Sequence, residues 1–263
     1  DLEPDIRDGP GIALPLDALS VELHDVSFGY APAVPTLRNV SFRLEPRGSL
    51  GILGRTGSGK TTIARLLLRL YDPTSGIIRV GGIDVHAARL AELRQRVALV
   101  TQDVQIFYAS VRDNITVFDA GVPDEEILRA LKDLGLWEWY QQLPLGLDTL
   151  LQSGGNSLSA GEAQLLALTR VFLLNPGIVI LDEASSRLDP ATERLVDRAV
   201  RRLLRDRTSL IIAHRLATIR HVDEILILED GEVREQGKRE QLAEDPRSLL
   251  FRLLHTEPQE ALA

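Results

Sequence analysis

The sequence predicts an α/β protein with a mostly parallel sheet, helices on the faces of that sheet, and an inserted helical region. The first observation is that apolar runs of strand length alternate with segments of helical periodicity, above all after residue 178. The second is that strand signals fade between residues 111 and 175, where helical ones dominate. The third is a glycine-rich loop at residues 54–61, which stands between a predicted strand and a predicted helix.

Each predicted element rests on its periodicity. Residues 20–28 alternate as a half-buried strand does, whereas residues 58–71 carry Ile63, Leu66 and Leu70 at helical spacing. We expect the strands at residues 20–28, 40–44, 49–53, 97–100, 178–181, 209–213 and 224–228. We expect the main helices at residues 58–71, 124–134, 161–174 and 190–204. Trp137 and Trp139 are interpreted as packing residues of the helical region.

Composition excludes several classes of protein. The 263 residues carry a formal net charge of −8, which argues against a broad electrostatic grip on nucleic acid. Cysteine is absent, so there is neither a disulfide framework nor a thiolate site. No stretch approaches the roughly 20 apolar residues of a membrane span, and the acidic start does not resemble a signal peptide. Methionine is also absent, and we expect a piece of a longer polypeptide whose residues 1–19, rich in Asp, Pro and Gly, form a linker.

Residues 54–61 match the phosphate-binding pattern G-x-x-x-x-G-K-[ST]. Glycines let backbone N–H groups converge on phosphate oxygens at a helix start, where the helix dipole favours anions. The lysine adds a positive charge for the β and γ phosphates, and the threonine hydroxyl suits Mg²⁺. The expected nucleotide-binding residues are Gly54, Arg55, Thr56, Gly57, Ser58, Gly59, Lys60, Thr61 and Thr62.

The apolar run at residues 178–181 ends in two carboxylates, Asp182 and Glu183. Ligands of open α/β sheets bind outside the carboxyl ends of the strands. An apolar strand that ends in two acids is common, so this motif gains its meaning from the phosphate loop. With that loop present, Asp182 is predicted to hold Mg²⁺ and Glu183 to act as general base on the attacking water.

Residues 158–162, Leu-Ser-Ala-Gly-Glu, begin a predicted helix that continues to residue 174. Ser159 with Glu162 three residues later fits a capping box, and a helix start with a serine hydroxyl also fits anion binding. Both interpretations can hold together. Placed just upstream of residues 178–183, this segment resembles the signature of the ATP-binding-cassette (ABC) ATPases, whose commonest form is Leu-Ser-Gly-Gly-Gln. Ala160 and Glu162 depart from that form, while Ser159 and Gly161 keep it.

The resemblance covers residues 20–245 and implies a RecA-like P-loop NTPase core. It also implies an N-terminal antiparallel β subdomain, a helical subdomain at about residues 104–175, and a C-terminal helix and tail at 246–263. ATP and Mg²⁺ are the implied cofactors. The implied roles are adenine stacking for Tyr30, Mg²⁺ contact for Thr61, Gln102 and Asp182, γ-phosphate contact for His214, and a crossing to the partner domain for Asp189.

Residues 107–115 resemble exporter-type members, in which a membrane domain precedes this one on the same chain. The implied function is ATP binding and hydrolysis by two domains, of the same or different chains, that dimerise head to tail around two ATP. The resemblance also implies that this domain lies at the cytoplasmic face of a membrane, where it powers export together with an exporter's transmembrane domain. Residues 152–155 replace the Glu-Arg-Gly element that exporters often carry, which puts the usual coupling in doubt. The alternatives are a separately encoded importer ATPase, a soluble ABC ATPase acting on nucleic acid, and a silent regulatory cassette.

Overall fold

The computed structural model describes residues 6, 8, 10–31, 34–101, 104–152, 158–182, 189–213, 216 and 218–255. These residues divide into two compact units. The first takes in the described residues of ranges 1–99, 177–183 and 206–263, and the second those of 100–176 and 184–205. The second unit therefore contains the range predicted to be helical and also the helix that follows residue 189.

Strands and helices lie close to their predicted positions. In the described ranges the strands are β1 (Val21–Phe28), β2 (Leu37–Leu44), β3 (Ser49–Leu53), β4 (Ser75–Val80), β5 (Ile83–Asp84), β6 (Val97–Val100), β7 (Ala109–Ser110), β8 (Leu150–Leu151), β9 (Ile178–Asp182), β10 (Thr208–Ile212), β11 (Glu224–Glu229) and β12 (Glu232–Lys238). The α-helices there are α1 (Lys60–Leu67), α2 (Leu90–Arg96), α3 (Val111–Thr116), α4 (Asp124–Asp133), α5 (Trp137–Gln141), α6 (Ala160–Leu174), α7 (Pro190–Leu204), α8 (Arg239–Glu244) and α9 (Leu249–His255). Within those ranges no helix is both long and apolar enough to cross a bilayer.

The first unit contains an antiparallel sheet in the order β2-β1-β4-β5. Val21 of β1 lies opposite Leu44 of β2 on one side and Val80 of β4 on the other, and all three side chains are buried. Polar residues alternate with these apolar ones along β1 and β2, as expected of a sheet with one buried face. The predicted antiparallel β subdomain is therefore confirmed.

A six-stranded sheet in the order β12-β11-β3-β10-β9-β6 forms the centre of the first unit. Its strands β11, β3, β10 and β9 are parallel to one another, and β12 adds an antiparallel edge. The side chains of Ile178, Val179 and Ile180 in β9 are fully buried, because helices and loops cover both faces of a parallel sheet. Parallel strands end at one edge, so the last residues of β3, β9 and β10 lie on the same side of the sheet.

Helix α1 is shorter than predicted. It begins at Lys60 and ends at Leu67, whereas the periodicity predicted residues 58–71. The reason is Arg69, which adopts a left-handed conformation (φ 47°) and whose buried side chain donates to Asp72 at 3.0 Å. Leu70 and Tyr71 thereby leave the helix and stand partly exposed.

Residues 10–19 form neither helix nor strand, yet they pack on the first unit. Leu14 and Leu19 are buried in its core, and the backbone N–H of Leu14 donates to Glu92 at 3.0 Å. The Arg96 guanidinium of α2 donates to three successive carbonyls, those of residues 15–17, at 2.5–3.0 Å. The predicted linker is thus attached along α2 over these residues.

The second unit is mainly helical, with a short antiparallel ribbon of β7 and β8. Helix α6 packs against α3, α4 and α7. Ile115, Leu131 and Leu165 are among the apolar side chains fully buried in this unit. Among the described residues of this unit, the polar side chains of Asn114 in α3 and Thr169 in α6 are fully buried with them. Arg170 of α6 donates to the backbone carbonyl of Asn114 at 2.6 Å and to its side-chain Oδ1 at 3.2 Å.

Candidate functional site

The glycine-rich loop connects the buried strand β3 to the first turn of α1. Gly54 and Gly59 have φ values of 152° and 104°, which only glycine adopts readily. A Cβ atom at Gly54 would collide with the carbonyl of Leu228, and one at Gly59 with the side chain of Leu37. The loop path therefore requires glycine at both ends of the turn, which leads directly into the N-terminus of α1, where the helix dipole favours an anion.

The Lys60 side chain lies beneath this loop. Its ammonium group donates to the carbonyl oxygens of Gly54 at 2.6 Å and Arg55 at 2.8 Å, and the residue is 4% exposed. Burial lowers the pKa of Lys60 below its ordinary value, and the Asp182 carboxylate partly opposes that shift. The result is a desolvated cation held at the loop, where an anionic ligand would interact with it strongly.

The side chains of Thr61 and Asp182, which are far apart in the sequence, are in contact within the first unit. The Thr61 hydroxyl donates to Asp182 Oδ2 at 3.1 Å, so the second residue of α1 touches the last residue of β9. A hydroxyl and a carboxylate are the oxygen ligands that Mg²⁺ takes, usually with waters and substrate phosphates completing the octahedron. No group of three or more His, Asp or Glu that could hold a metal is found among the described residues. The pair fits a cation that is bound together with phosphates.

The Ser58 hydroxyl is buried and has no hydrogen-bond partner within the described part of the chain. An unpaired buried hydroxyl costs about 1–3 kcal/mol, so such a group calls for a ligand or a water. Since Ser58 lies between Gly57 and Gly59 of the loop, a phosphate oxygen would satisfy it.

Tyr30 lies beside α1, and 48% of its surface is exposed. Its hydroxyl is 3.2 Å from the Thr62 hydroxyl and accepts a hydrogen bond from Arg65 Nη1 at 2.9 Å. Phe28 and Tyr71 contact the ring at centroid distances of 5.0 and 5.2 Å. The first unit thus brings Tyr30 to the same helix that begins at the phosphate loop.

In the second unit, α6 begins with a complete capping box. Ser159 Oγ accepts from the N–H of Glu162 at 3.3 Å, and the Glu162 carboxylate accepts from the N–H of Ser159 at 2.7 Å. The capping interpretation of the sequence is confirmed, and it gives Glu162 a local structural role. Ala160 and Gly161 form the first turn of the helix, and anion binding there stays a prediction.

Asp189 caps the N-terminus of α7. Its carboxylate accepts from the N–H groups of Ala191 at 3.0 Å and Thr192 at 3.1 Å. Hydrogen bonds from the Thr192 side chain and backbone lower the pKa of Asp189. Its predicted crossing to a partner domain is not tested by this contact.

Three predicted catalytic or metal-binding residues, Gln102, Glu183 and His214, lie outside the described residues. Each follows a strand of the six-stranded sheet in the sequence: β6, β9 and β10, which are neighbours there.

Sequence reasoning missed Arg65 and Tyr71, which contact Tyr30 in the first unit, and the pair of Asn114 and Arg170 in the second unit. Arg65 lies one helical turn after Thr62, so the spacing of α1 could have identified it. The helical periodicity predicts Tyr71 within α1, whereas it lies beyond the end of that helix and its ring contacts Tyr30. Asn114 and Arg170 lie 56 positions apart, and periodicity carries no signal for such a pair.

Comparison with known proteins identifies the family. A family model described as ABC transporter matches residues 37–186. An ABC-type transporter, fsqE, of Aspergillus fumigatus is 44% identical over 232 residues, which are 86% of this chain and 18% of that protein. An ATP-dependent lipid A-core flippase of Alcanivorax borkumensis is 40% identical over 226 residues, 86% of this chain and 39% of the flippase. A mycobactin import ATP-binding/permease protein of Mycolicibacterium thermoresistibile is 41% identical over 223 residues, 85% of this chain and 24% of that protein.

A solved structure agrees with the fold. That of a bacterial Atm1-family ABC exporter with ATP bound matches this chain with a TM-score of 0.86 and 34% identity, over 97% of this chain and 45% of the exporter chain. The chain thus spans less than half the length of each of these relatives. It belongs to the ABC transporter family.

Proposed function

We propose that this chain binds Mg²⁺ and ATP and hydrolyses ATP between two such domains, and that the hydrolysis powers export across a membrane. The observation that carries the proposal is the contact between Thr61 and Asp182, which joins the phosphate loop to the carboxyl end of β9. Ligands of open α/β sheets bind at this end of the strands. The desolvated Lys60 and the unpaired Ser58 hydroxyl lie in the same loop and support an anionic ligand there.

In this site the phosphate chain of ATP would lie over residues 54–61. Backbone N–H groups, Ser58 and Lys60 would hold the β and γ phosphates, with Lys60 exchanging its carbonyl partners for phosphate oxygens. Thr61, Asp182 and Gln102 would bind Mg²⁺, which neutralises charge on the phosphates as the bond to the leaving group breaks. Tyr30 would stack on the adenine ring.

Glu183 would act as the general base, because it directly follows Asp182 in the sequence. It would take a proton from a water whose oxygen attacks the γ phosphorus, while the bond to the β–γ bridging oxygen breaks and ADP leaves. His214 follows β10, the neighbour of β9 in the sheet, and would contact the γ phosphate.

A second domain would complete the site. Ser159 and Gly161 at the start of α6 present a hydroxyl and the positive end of a 15-residue helix. In a head-to-tail pair, each domain would place these groups against the ATP held by the other, and Asp189 would lie in the segment that crosses between them. Two identical chains would close two such sites about a two-fold axis.

An exposed apolar patch of the second unit supports a membrane-domain partner. Phe107 and Phe118 are in ring contact, and Tyr108 and Leu150 are 70% and 61% exposed. Contiguous exposed apolar surface marks an interaction site. The flippase and the mycobactin protein are named for different molecules, so the molecule transported here is to be identified by a transport assay on the full-length protein. The cytoplasmic face of a membrane is the proposed location.

The test is the ATPase rate per molecule against protein concentration with Mg²⁺, for this chain and for Glu183→Gln. A rate that rises with concentration and falls by a factor of about 10² or more in the variant would support the proposal. Glu138→Gln, an exposed carboxylate of the second unit, is the matched control and should turn over normally. Normal turnover by Glu183→Gln would refute the assigned base, and salt-dependent binding of nucleic acid would favour the soluble alternative.

A further inference from the structure

Tyr30 is one of three aromatic rings packed at nearly equal distances. The Phe28 ring is 5.0 Å from it at an interplanar angle of 87°, and the Tyr71 ring is 5.2 Å away at 90°. Phe28 and Tyr71 also touch each other at 5.5 Å. Perpendicular aromatic contacts are specific in geometry, because the positive edge of one ring meets the negative face of the other. Two such contacts fix the plane of the Tyr30 ring.

The far end of the same ring is fixed by α1. Arg65 Nη1 donates to the Tyr30 hydroxyl at 2.9 Å, and its guanidinium carbon lies 5.7 Å from the ring centre. The Thr62 hydroxyl is the second partner, at 3.2 Å. Both residues follow Lys60 and Thr61 in one helix, so the distance from the phosphate loop to the ring is set by helix geometry.

With all these contacts made, Tyr30 is still 48% exposed and Tyr71 is 41% exposed. The bonded hydroxyl and the two ring contacts hold the orientation of the ring, and the exposed half remains open to a planar ligand. Packing alone does not require this arrangement, because a core tyrosine would be covered.

We infer that Tyr71 and Arg65 are positioning residues that hold Tyr30 for stacking on a purine base. This inference rests on the proposed ATP site and concerns the base, not the phosphates. Neither residue needs to touch the nucleotide. Their removal should therefore weaken the binding of a nucleotide and leave the binding of its phosphate chain unchanged.

The first experiment compares Mg·ADP with inorganic pyrophosphate by titration calorimetry. Tyr71→Ala should weaken ADP about three- to tenfold, as expected for the loss of one aromatic pair, and leave pyrophosphate unchanged. Tyr71→Phe keeps the ring and should bind ADP as the wild type does. Leu70→Ala is the matched control, since the neighbouring Leu70 is 44% exposed and has no ring contact with Tyr30.

The second experiment is a double-mutant cycle on the hydroxyl. Arg65→Met removes the donor and keeps an unbranched apolar side chain, and should weaken ADP binding about two- to fivefold. In a Tyr30→Phe background the hydroxyl is absent, so Arg65→Met should have a clearly smaller effect, limited to its contact with the ring. An equal effect in both backgrounds would overturn the inference, because Arg65 would then act on the nucleotide directly.

The outcomes separate this inference from the proposed function. If the wild type binds neither ADP nor pyrophosphate, the proposed site fails. If Tyr71→Ala binds both ligands with wild-type affinity, only the positioning role fails. The same holds if its affinity for both falls equally while its melting temperature stays that of the wild type.

Discussion

Replacing Asn114 by alanine tests the packing of the second unit, because several hydrogen bonds converge on this side chain. The side chain is fully buried and bonded on both its polar atoms. Its Oδ1 accepts from the Phe107 N–H at 2.8 Å and from Arg170 Nη2 at 3.2 Å. Its Nδ2 lies within 2.9–3.3 Å of the carbonyls of Phe107, Ala109 and Ser110, and has two protons to donate.

About four hydrogen bonds are therefore lost at once. Neutral bonds contribute about 1 kcal/mol each and the bond from a charged group about 1.5–3 kcal/mol, while the abandoned partners stay buried. Arg170 is itself desolvated, since burial lowers its pKa. Because the contributions of these bonds are not fully additive, the expected decrease in the free energy of unfolding is about 3–5 kcal/mol.

Tryptophan fluorescence during urea unfolding reads this unit specifically, because the only two tryptophans of the chain, Trp137 and Trp139, lie in α5. Thr116→Ala, which removes one bond to the Arg112 carbonyl in the same helix, is the control and should cost about 1 kcal/mol. A loss for Asn114→Ala no larger than that of the control would refute the reasoning.

Three further predictions follow from single contacts. Gly76→Ala should lower the free energy of unfolding by about 2–4 kcal/mol, because φ is 88° and a Cβ atom would meet the backbone of the neighbouring strand β1. Gly82→Ala is the control: φ is 78° but a Cβ atom would enter open space, so thermal unfolding should show a clearly smaller loss. The lowered pKa of Asp189 means that its contribution to stability is full above its ordinary pKa and is lost as pH falls through the folded value. Asp189→Asn should therefore flatten the pH dependence of unfolding below about pH 4, and an unchanged slope would contradict this. Glu162→Gln keeps an acceptor for the capping box and should leave stability within about 0.5 kcal/mol, as measured by the same fluorescence assay.

Local patterns were sufficient to predict most of the parallel core. The strands β3, β9, β10 and β11 coincide with short apolar runs, because a strand covered on both faces needs apolar residues throughout. Strands β4 and β12 were not predicted. The first half of β4 is exposed, and β12 carries exposed Arg234, Gln236 and Lys238, so neither strand has a clear apolar pattern and the pairing of both depends on their neighbours.

In the candidate site, too, the residues that belong to local motifs were predicted, and those that depend on distant contacts were not. The loop and Asp182 were predicted because residue types and spacing carry the chemistry, and the structure brings the Thr61 hydroxyl within 3.1 Å of the Asp182 carboxylate. Gln102, Glu183 and His214 stay predictions. The end of α1 at Arg69, and with it the place of Tyr71, depends on a buried arginine and one left-handed residue. No periodic signal marks these.

The central claim is that one ATP site is shared between two domains, and mixing two inactive variants tests it most directly. Lys60→Met disables the phosphate loop, while Ser159→Asp keeps a good helix cap and places a carboxylate where the γ phosphate of the partner's ATP would lie. Each variant alone should be inactive. A mixed pair contains one intact loop facing one intact α6 start, so an equimolar mixture should recover up to about a quarter of the wild-type rate. No recovery, with both variants folded and able to pair, would contradict the shared site.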